Sequence, residues 1–518
     1  LQKPNILFIQ ADQMTAFALG QYGNPLVKTP NIDRLAERGV VFENAYCNNP
    51  ICASSRFSML SGRLSSKIGA YDNAAEFPAS IPTFAHYLGN LGYRTCLSGK
   101  MHFVGPDQLH GFEERVTTDI YPSDFGWTPD WLAEGHQSPP SGMSMRSVVE
   151  AGISIRSLQI DYDEEVCHQA EVKLWEYARA ADKKPFFLAA SFTHPHNPFT
   201  TQPKFWELYD HEAINMPTVP GKPVDERDPW SQRYYYLIRN DEHVVTDEDV
   251  RNARHAYYGM CSYIDFLVGR LLKVLDGSGL IDNTVIIFTA DHGDMLGERG
   301  MWYKFNPFEW SIRVPLLISG PGMQQDTKEA SLVSLVDLMP TFLDLASGGK
   351  PPDLVDPIDG HSLEPLLRGD VSGWEDDVMV EFTAEGTFAP ALILRRGNYK
   401  FVYCETDPGM LYDLIADPHE QKNLCADPSF ANVAEEMQNE ILSRWDPKTL
   451  KQDIIASQRR RHFIQGRFRD GKAAPWDFQP IFDASAQYLR SGNSPTAIKG
   501  LARFPQVEPR PPDTPRQI

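Results

Sequence analysis

TVIIFTADHG, residues 284–293, joins an apolar run to an acid, a histidine and a glycine. An uncharged run of this length predicts a buried strand, because helices usually need about ten residues or more. Similar runs occur as NILFIQAD at 5–12, FFLAAS at 186–191 and PLLI at 315–318. Continuous apolar strands are typical of a parallel sheet that is covered on both faces. These four segments therefore predict the centre of such a sheet.

Helical stretches lie between the predicted strands, at 29–36, 163–180 and 250–275. Alternating strands and helices predict an α/β fold with a large, mostly parallel sheet flanked by helices. Ligands of such sheets bind beyond the carboxyl ends of the strands. Five polar side chains follow predicted strand ends and are expected to converge: Asp12, His194, His196, Asp291 and His292.

A second region begins near residue 375, where short strand-like segments are separated by turn residues. Such segments predict an antiparallel sheet, and they lie at 378–382, 391–395, 399–404 and 410–414. The expected organisation is a main domain over 1–375, a smaller α+β subdomain over 376–445 and an extended tail over 446–518.

The chain has 518 residues and a net charge of −20, which argues against nucleic-acid binding because such binders need a basic face. Seven scattered cysteines do not indicate a disulfide framework, so a reducing compartment is expected. No apolar run approaches the roughly 18 residues of a membrane span. The chain opens on a strand without a signal peptide ahead of it, so a cytoplasmic location is expected.

Asp12, Asp291 and His292 have the chemistry of a metal site. Two carboxylates and one imidazole suit a hard or borderline divalent ion. The alternative is that each aspartate only caps the helix that follows its strand. A polar pair directly after a strand favours the metal site, because both side chains lie near the same crevice.

Cys52 lies in the segment PICASSR, residues 50–56. A free cysteine is most often a small buried residue. If a helix starts here, however, Cys52 lies at its N-terminus, where the helix dipole and free N–H groups favour an anion. Arg56 then falls one turn later on the same face.

CASSR at 52–56, followed by MLSGR at 59–63, resembles the signature of type I sulfatases, the formylglycine-dependent enzymes of the alkaline phosphatase superfamily. The resemblance covers essentially the whole chain and includes segments 31–35, 92–102 and 291–293. Further segments are similar to choline sulfatases in particular: 71–76, 104–112, 119–130 and 294–300. The resemblance implies a mixed, mostly parallel sheet with a small C-terminal subdomain.

The resemblance implies that a formylglycine-generating enzyme oxidises Cys52 to formylglycine, whose hydrate is the nucleophile. It also implies one divalent metal, expected to be Ca²⁺ with Mn²⁺ or Mg²⁺ as alternatives, on Asp12, Gln13, Cys52, Asp291 and His292. Arg56 would stabilise the modified residue. Sulfate binding and proton transfer would involve Lys100, His102, His196 and Lys304, with His194 as a second histidine candidate.

Two positions depart from the family pattern. Gln13 stands where many sulfatases carry a second aspartate, so the site loses one negative charge although an amide oxygen can still ligate. Ser54 stands where the modification signature usually has proline or alanine. Maturation of Cys52 is therefore the step that most needs a test.

The implied substrate is a small sulfate ester of the choline sulfate type, whose cation an aromatic face and a carboxylate can hold. The same resemblance points to five residues for this part of the substrate: Asn73, Trp127, Glu381, Trp476 and Asp477. The tail would reach a neighbouring subunit, which implies a homodimer or homotetramer. For the two tryptophans, packing is the alternative.

Two other functions are left open by the sequence. Residues 135–145 do not resemble choline sulfatases, so an aryl sulfatase or a phosphonate or phosphate diester hydrolase is the second interpretation. A binding protein that keeps the fold with an unmodified Cys52 is a third.

Overall fold

The computed structural model describes residues 3–121, 123–135, 137, 139–472 and 478–481. Its strands are β1 (Asn5–Ala11), β2 (Gly39–Tyr46), β3 (Arg94–Gly99), β4 (Glu114–Arg115), β5 (Gly152–Ile153), β6 (Phe186–Ser191), β7 (Thr200–Thr201), β8 (Thr284–Ala290), β9 (Leu316–Ser319), β10 (Thr327–Ser334), β11 (Asp377–Phe382), β12 (Ala391–Arg396), β13 (Tyr399–Cys404) and β14 (Met410–Asp413).

The α-helices are α1 (Pro30–Glu37), α2 (Cys52–Ser61), α3 (Ser65–Ile68), α4 (Phe84–Asn90), α5 (Arg146–Val149), α6 (Leu158–Arg179), α7 (Pro203–Trp206), α8 (Pro229–Leu237), α9 (Asp247–Ser278), α10 (Glu309–Ile312), α11 (Leu338–Ser347), α12 (Glu364–Leu367), α13 (Ala431–Arg444) and α14 (Pro447–Asp470).

The main sheet has eight strands in the order β10-β2-β9-β8-β1-β6-β3-β4. Strand β1 lies near its centre and pairs in parallel with β6 and β8. Every residue of these three strands is buried, which is why they are continuously apolar. Strand β9 runs antiparallel to both of its neighbours. The predicted α/β class with a mixed, mostly parallel sheet is confirmed.

A four-stranded antiparallel sheet, β11-β12-β13-β14, forms the C-terminal part, as predicted. A buried ion cluster joins it to the main domain. Lys400 of β13 is fully buried and contacts the carboxylates of Glu309, at 2.9 Å, and Glu420. The Tyr46 hydroxyl of β2 donates to Glu309 at 3.0 Å. A buried cation between two carboxylates is stable only while all partners are present.

Replacing Lys400 by Met should therefore lower the free energy of unfolding by about 3–5 kcal/mol, because two buried carboxylates lose their cation. Lys451→Met is the control, since its pair with Glu405 is partly exposed and such pairs contribute about 0–1 kcal/mol. Denaturant unfolding of both variants measures the difference. Equal losses of unfolding free energy in the two variants would show that the buried cluster stabilises the protein no more than a partly exposed ion pair does.

The prediction of an extended tail from residue 446 is wrong for 447–470, which form α14. Asp446 caps this helix by accepting from the N–H groups of Lys448 and Thr449, and Pro447 occupies its first turn. The helix packs on its own chain through a partly polar face, which explains why its hydrophobic pattern is weak. Its buried residues are Pro447, Leu450, Ile454, Gln458 and Arg461.

Among the described helices, none combines the length and apolar character that crossing a membrane requires. All seven cysteines are unpaired.

Candidate active site

Cys52 is the first residue of α2, and only 2% of it is exposed. The sequence predicted this position at a helix N-terminus. Asn73 accepts from the Ala53 N–H through its Oδ1 at 3.0 Å, so it holds the first turn of the helix from the side. The dipole and the N-terminal N–H groups of α2 therefore act on the Cys52 side chain.

Four side chains from three parts of the chain meet at this point: Asp12, Cys52, Asp291 and His292. One ligand atom of each lies within 4.8 Å of the others. The sheet causes this meeting, because Ala11 of β1 pairs with Ala290 of β8 and their successors are the two aspartates. Cys52 Sγ lies 3.3 Å from His292 Nε2 and 3.9 Å from Asp12 Oδ1.

Three buried cations surround the cluster. Arg56 pairs with Asp12 Oδ2 through Nη2 at 3.0 Å and with Asp291 Oδ2 through Nε at 2.9 Å. Lys100 contacts Asp12 Oδ2 and lies 3.7 Å from Cys52 Sγ. Lys304 Nζ lies 3.1 Å from Cys52 Sγ. The arrangement concentrates positive charge in a protein whose net charge is −20.

These cations control the ionisation of the site. Burial alone raises the pKa of the Cys52 thiol, but Lys100, Lys304 and His292 outweigh burial and hold that pKa well below its usual value. Burial and Cys52 raise the pKa of Asp12, but Lys100, His196 and Arg56 hold it below its usual value. The site therefore stabilises anions at both positions.

The donor set fits a divalent metal. Asp12 and Asp291 direct Oδ2 to Arg56, whereas their Oδ1 atoms lie 3.9 and 3.6 Å from His292 Nε2. His292 Nδ1 lies 3.1 Å from the carbonyl oxygen of Gly293, which places a proton on Nδ1 and directs Nε2 toward the carboxylates as the ligand atom. Carboxylate oxygens and one imidazole suit Ca²⁺, Mn²⁺ or Mg²⁺.

Gln13 lies beside this cluster. Its Oε1 accepts from Lys304 at 2.8 Å, and its Nε2 donates to Asp294 Oδ2 at 2.6 Å. Burial raises the pKa of Asp294 to about 6. The amide thus positions Lys304 next to Cys52, while its role as a metal ligand stays a prediction.

A cavity of about 660 Å³ opens beside Cys52. Six other predicted site residues line it: Asn73, Lys100, His102, Trp127, His196 and Lys304. The wall also contains Tyr121, Met143, Gln159, Asn197 and Phe305. A cluster of possible metal ligands and buried cations, together with a mixed polar and aromatic wall, suits an ester with an anionic head.

Two histidines face the cavity, and their hydrogen bonds determine which ring nitrogen carries a proton. His102 Nε2 lies 3.2 Å from the carbonyl oxygen of Asn73, which can only accept, so Nε2 carries the proton and Nδ1 is the acceptor. The Ser123 hydroxyl holds the same nitrogen at 2.6 Å. His196 Nδ1 is likewise bound to the carbonyl oxygen of Asn197 at 2.7 Å. Burial and Lys304 lower the pKa of His196.

Two predicted residues lie outside the cavity wall. His194 is held through Nδ1 by Asp163 Oδ2 at 2.7 Å, so its imidazole packs against α6 instead of facing Cys52. The Glu381 carboxylate accepts from Ser65, Ser66 and Trp445, and it stabilises the junction with α3. Neither side chain is part of the cavity wall, so the substrate role of Glu381 and the catalytic role of His194 gain no support from these contacts. Trp476 and Asp477 lie outside the described residues.

Sequence reasoning missed Glu385, which stands four residues after Glu381. It is 3% exposed, and its Oε2 has no hydrogen-bond partner among the residues that the structure describes. Burial raises its pKa to about 8, with Asp72 adding to the rise, Lys304 opposing it and Cys52 adding slightly. Glu381 and Glu385 are equally good candidates in the sequence EFTAEG. They differ in the structure because Glu381 lies in β11 and Glu385 follows the end of that strand at Phe382.

A family model described as Sulfatase matches residues 4–349. A model described as N-sulphoglucosamine sulphohydrolase, C-terminal, matches 297–446, and one described as Choline sulfatase enzyme C terminal matches 452–504.

The chain is 42% identical to the choline-sulfatase of Rhizobium meliloti (strain 1021), with 98% of this chain and 99% of the relative covered. It is 28% identical to the arylsulfatase of Clostridium perfringens (strain 13 / Type A), with 82% and 90% covered. The solved phosphonate monoester hydrolase of Agrobacterium radiobacter shares the fold, with a TM-score of 0.68 at 24% identity over 85% of this chain and 95% of that one.

These findings confirm the resemblance that the sequence motifs carried. The match over 4–349 and the full-length similarity at 42% identity show that this chain belongs to the sulfatase family and is a sulfuric ester hydrolase.

Proposed function

We propose that this sulfatase hydrolyses small sulfate esters with a quaternary ammonium group, of the choline sulfate type, through formylglycine derived from Cys52. The observation that carries the proposal is the buried cluster around Cys52, with its metal-ligand set and three cations at one end of a cavity. The full-length similarity to a choline-sulfatase supports the choice of ester.

Maturation requires oxidation of the Cys52 thiol to an aldehyde by a formylglycine-generating enzyme. Because Cys52 is 2% exposed at the start of a fully buried helix, we expect oxidation before the chain has folded. Cys52 Sγ then marks where the hydroxyl groups of the aldehyde hydrate lie. Ser54, in the first turn of α2, is part of the segment that the maturing enzyme must accept.

A divalent metal on Asp12, Asp291, His292 and the modified Cys52 would lower the pKa of the hydrate and neutralise sulfate oxygens. Arg56 holds both carboxylates in place for this role. Ca²⁺ is the expected metal, with Mn²⁺ and Mg²⁺ as alternatives, because two of the four donors are carboxylates and a third would be a hydroxyl oxygen.

Hydrolysis takes two steps. A hydroxyl at the Cys52 position would displace the alcohol from sulfur, and the free nitrogen of His102 (Nδ1) or His196 (Nε2) would take the proton of that hydroxyl and pass it to the leaving oxygen. A histidine would then accept the proton of the second hydroxyl as sulfate departs, which would restore the aldehyde, and added water would restore the hydrate. Lys100 and Lys304, which flank Cys52 Sγ at 3.7 and 3.1 Å, hold the sulfate oxygens.

The alcohol side of the ester would lie toward Trp127, Asn73 and Glu385. Glu385 is buried, its Oε2 has no hydrogen-bond partner among the described residues, and a cationic ligand would favour the ionised form of its carboxyl group. An aromatic face such as that of Trp127 is the usual partner of a quaternary ammonium. Trp127 lies edge-on to His102, with ring centroids 6.0 Å apart, so the cation would sit directly behind the sulfate.

Aryl sulfates are the second candidate substrates, because Met143 and Phe305 give the same cavity an apolar wall. The test is kcat/KM for choline sulfate, 4-nitrophenyl sulfate and a phosphonate monoester with the same enzyme preparation. The proposal requires choline sulfate to have the largest value. A larger value for the phosphonate would reassign the enzyme to the phosphonate hydrolases that share its fold.

Replacing Trp127 by Ala should lower kcat/KM for choline sulfate about 10- to 30-fold, since a desolvated cation–π contact contributes about 2 kcal/mol. The value for 4-nitrophenyl sulfate should change less than about threefold. Trp374→Ala, at a partly buried tryptophan near β10, controls for stability. Equal losses on both esters would remove the cation-binding role of Trp127.

We also propose a homodimer or homotetramer through the C-terminal tail, with Trp476 and Asp477 reaching a neighbouring site. The match of residues 452–504 to a choline sulfatase C-terminal model supports this. A cytoplasmic location agrees with seven unpaired cysteines. Light scattering of the full chain and of a chain ending at Gly471 would test the oligomer, and an unchanged mass would contradict the role of the tail.

A further inference from the structure

Helix α14 forms the outer support of the cavity wall that carries Trp127. The backbone N–H of Trp131 donates to Gln458 Oε1 at 3.0 Å, and His462 Nε2 lies 3.0 Å from the carbonyl oxygen of Pro129. Positions 458, 461 and 462 share one helix face. The middle of this face is Arg461, which is 5% exposed.

Arg461 binds two separate segments of the wall. Its Nη1 and Nη2 donate to Asp72 Oδ1 and Oδ2 at 2.5 and 2.7 Å, and Asp72 is fully buried. Its Nη1 also lies 3.3 Å from Thr128 Oγ1. Asp72 precedes Asn73, and Thr128 follows Trp127. One guanidinium thus links the two segments that carry the cavity residues Asn73 and Trp127.

The link extends to the nucleophile. Asn73 Oδ1 accepts from the N–H of Ala53, next to Cys52, and the Asn73 carbonyl oxygen binds His102. A shift of Asp72 would therefore move the Asn73 wall relative to Trp127, while the metal cluster stays anchored by β1 and β8. Arginine suits this position because its planar fork fixes both partners at once, whereas lysine holds a single point.

We propose that Arg461 is a positioning residue for substrate recognition: it sets the spacing between Asn73 and Trp127 and so makes binding of the ester's alcohol part depend on helix α14. The inference rests on the proposed function for the identity of the alcohol. The link between the two walls is independent of that identity.

The kinetic test compares Arg461→Met, Arg461→Lys and the double variant Asp72→Asn/Arg461→Met. We expect Arg461→Met to raise KM for choline sulfate about tenfold or more, because small misplacements of binding groups are costly. The kcat for 4-nitrophenyl sulfate per formylglycine should stay within about threefold, because Ser123 still holds His102 Nε2 at 2.6 Å and Cys52 stays in a fully buried helix. Lysine should not restore KM. The double variant should recover thermal stability, because it removes the unpaired buried charge, but not KM.

Arg444→Met is the matched control. Arg444 of α13 also pairs with an aspartate through two nitrogens, at 3.2 and 2.7 Å to Asp377, and neither residue lines the cavity. Its loss should lower the melting temperature without changing the ratio of the two substrates. Equal losses on both substrates in Arg461→Met, or full kinetic recovery in the double variant, would overturn the proposal.

Hydrogen exchange tests whether Arg461 links the two segments, even if choline sulfate proves not to be a substrate. Arg461→Met and the double variant should both exchange faster than the wild type at 72–75 and at 128–131, and Arg444→Met should not. Unchanged exchange at either segment would contradict the link. A wild type that turns over aryl sulfate but no choline sulfate would contradict only the proposed substrate.

Discussion

Replacing Cys52 by Ala should lower kcat for every sulfate ester by about 10⁴-fold or more, because the nucleophile is lost while the fold stays intact. Alanine suits the first turn of a helix, and the side chain it replaces is small and buried. Cys52→Ser is more informative. Serine retains one oxygen that can attack sulfur, but it lacks the second hydroxyl that expels sulfate. We expect it to turn over once and to retain a covalent sulfate.

Mass spectrometry of the peptide around Cys52 measures these outcomes. The wild type, co-expressed with a formylglycine-generating enzyme, should show the aldehyde, and Cys52→Ser should show one added SO₃ after incubation with substrate. Cys47→Ala is the control, because burial raises the pKa of the Cys47 thiol. Substantial turnover by Cys52→Ala, or a wild-type chain that is active with an unmodified thiol, would contradict the mechanism.

The central strands were predictable because they are buried on both faces. Strands β1, β6 and β8 stand out in the sequence as uninterrupted apolar runs. Strand β10 was not predicted, since it lies at an edge of the sheet and its first five residues are mostly polar and not buried. The direction of β9 was not predictable either. A four-residue apolar run carries no information about which neighbour it will pair with.

The meeting of Asp12 and Asp291 was predictable for a topological reason: parallel strands bring the residues that follow them to one edge of the sheet. Loop side chains were not predictable in this way. His194 and His196 follow the same strand, but His194 is hydrogen-bonded to Asp163 and is not part of the cavity wall. Glu381 ended in a polar junction and Glu385 near the cavity, because contacts distant in sequence decide where a turn directs each side chain.

Replacing Asp291 by Asn should reduce metal affinity by more than about 100-fold and kcat/KM at ambient metal by at least the same factor. Asparagine keeps the shape of the side chain but removes one of two negative charges from a site that holds three buried cations. Its amide also cannot accept from Gln13, His292 and Arg56 together, as the carboxylate does at 3.0, 3.0 and 2.9 Å. Elemental analysis of the gel-filtered protein gives the metal per chain. Titration with Ca²⁺, Mn²⁺ and Mg²⁺ should restore part of the activity and thereby identify the preferred ion.

Asp265→Asn separates a metal ligand from an ordinary buried aspartate. Asp265 Oδ1 accepts from the N–H groups of Asn31 and Ile32 at the start of α1, each at 2.8 Å. Its replacement should cost stability of about 1 kcal/mol, as for a helix cap, and leave the metal in place. A comparable loss of metal in both variants would mean that the effect reflects folding. A full complement of metal in Asp291→Asn would remove this residue from the ligand set, since carboxylate number governs affinity for such ions.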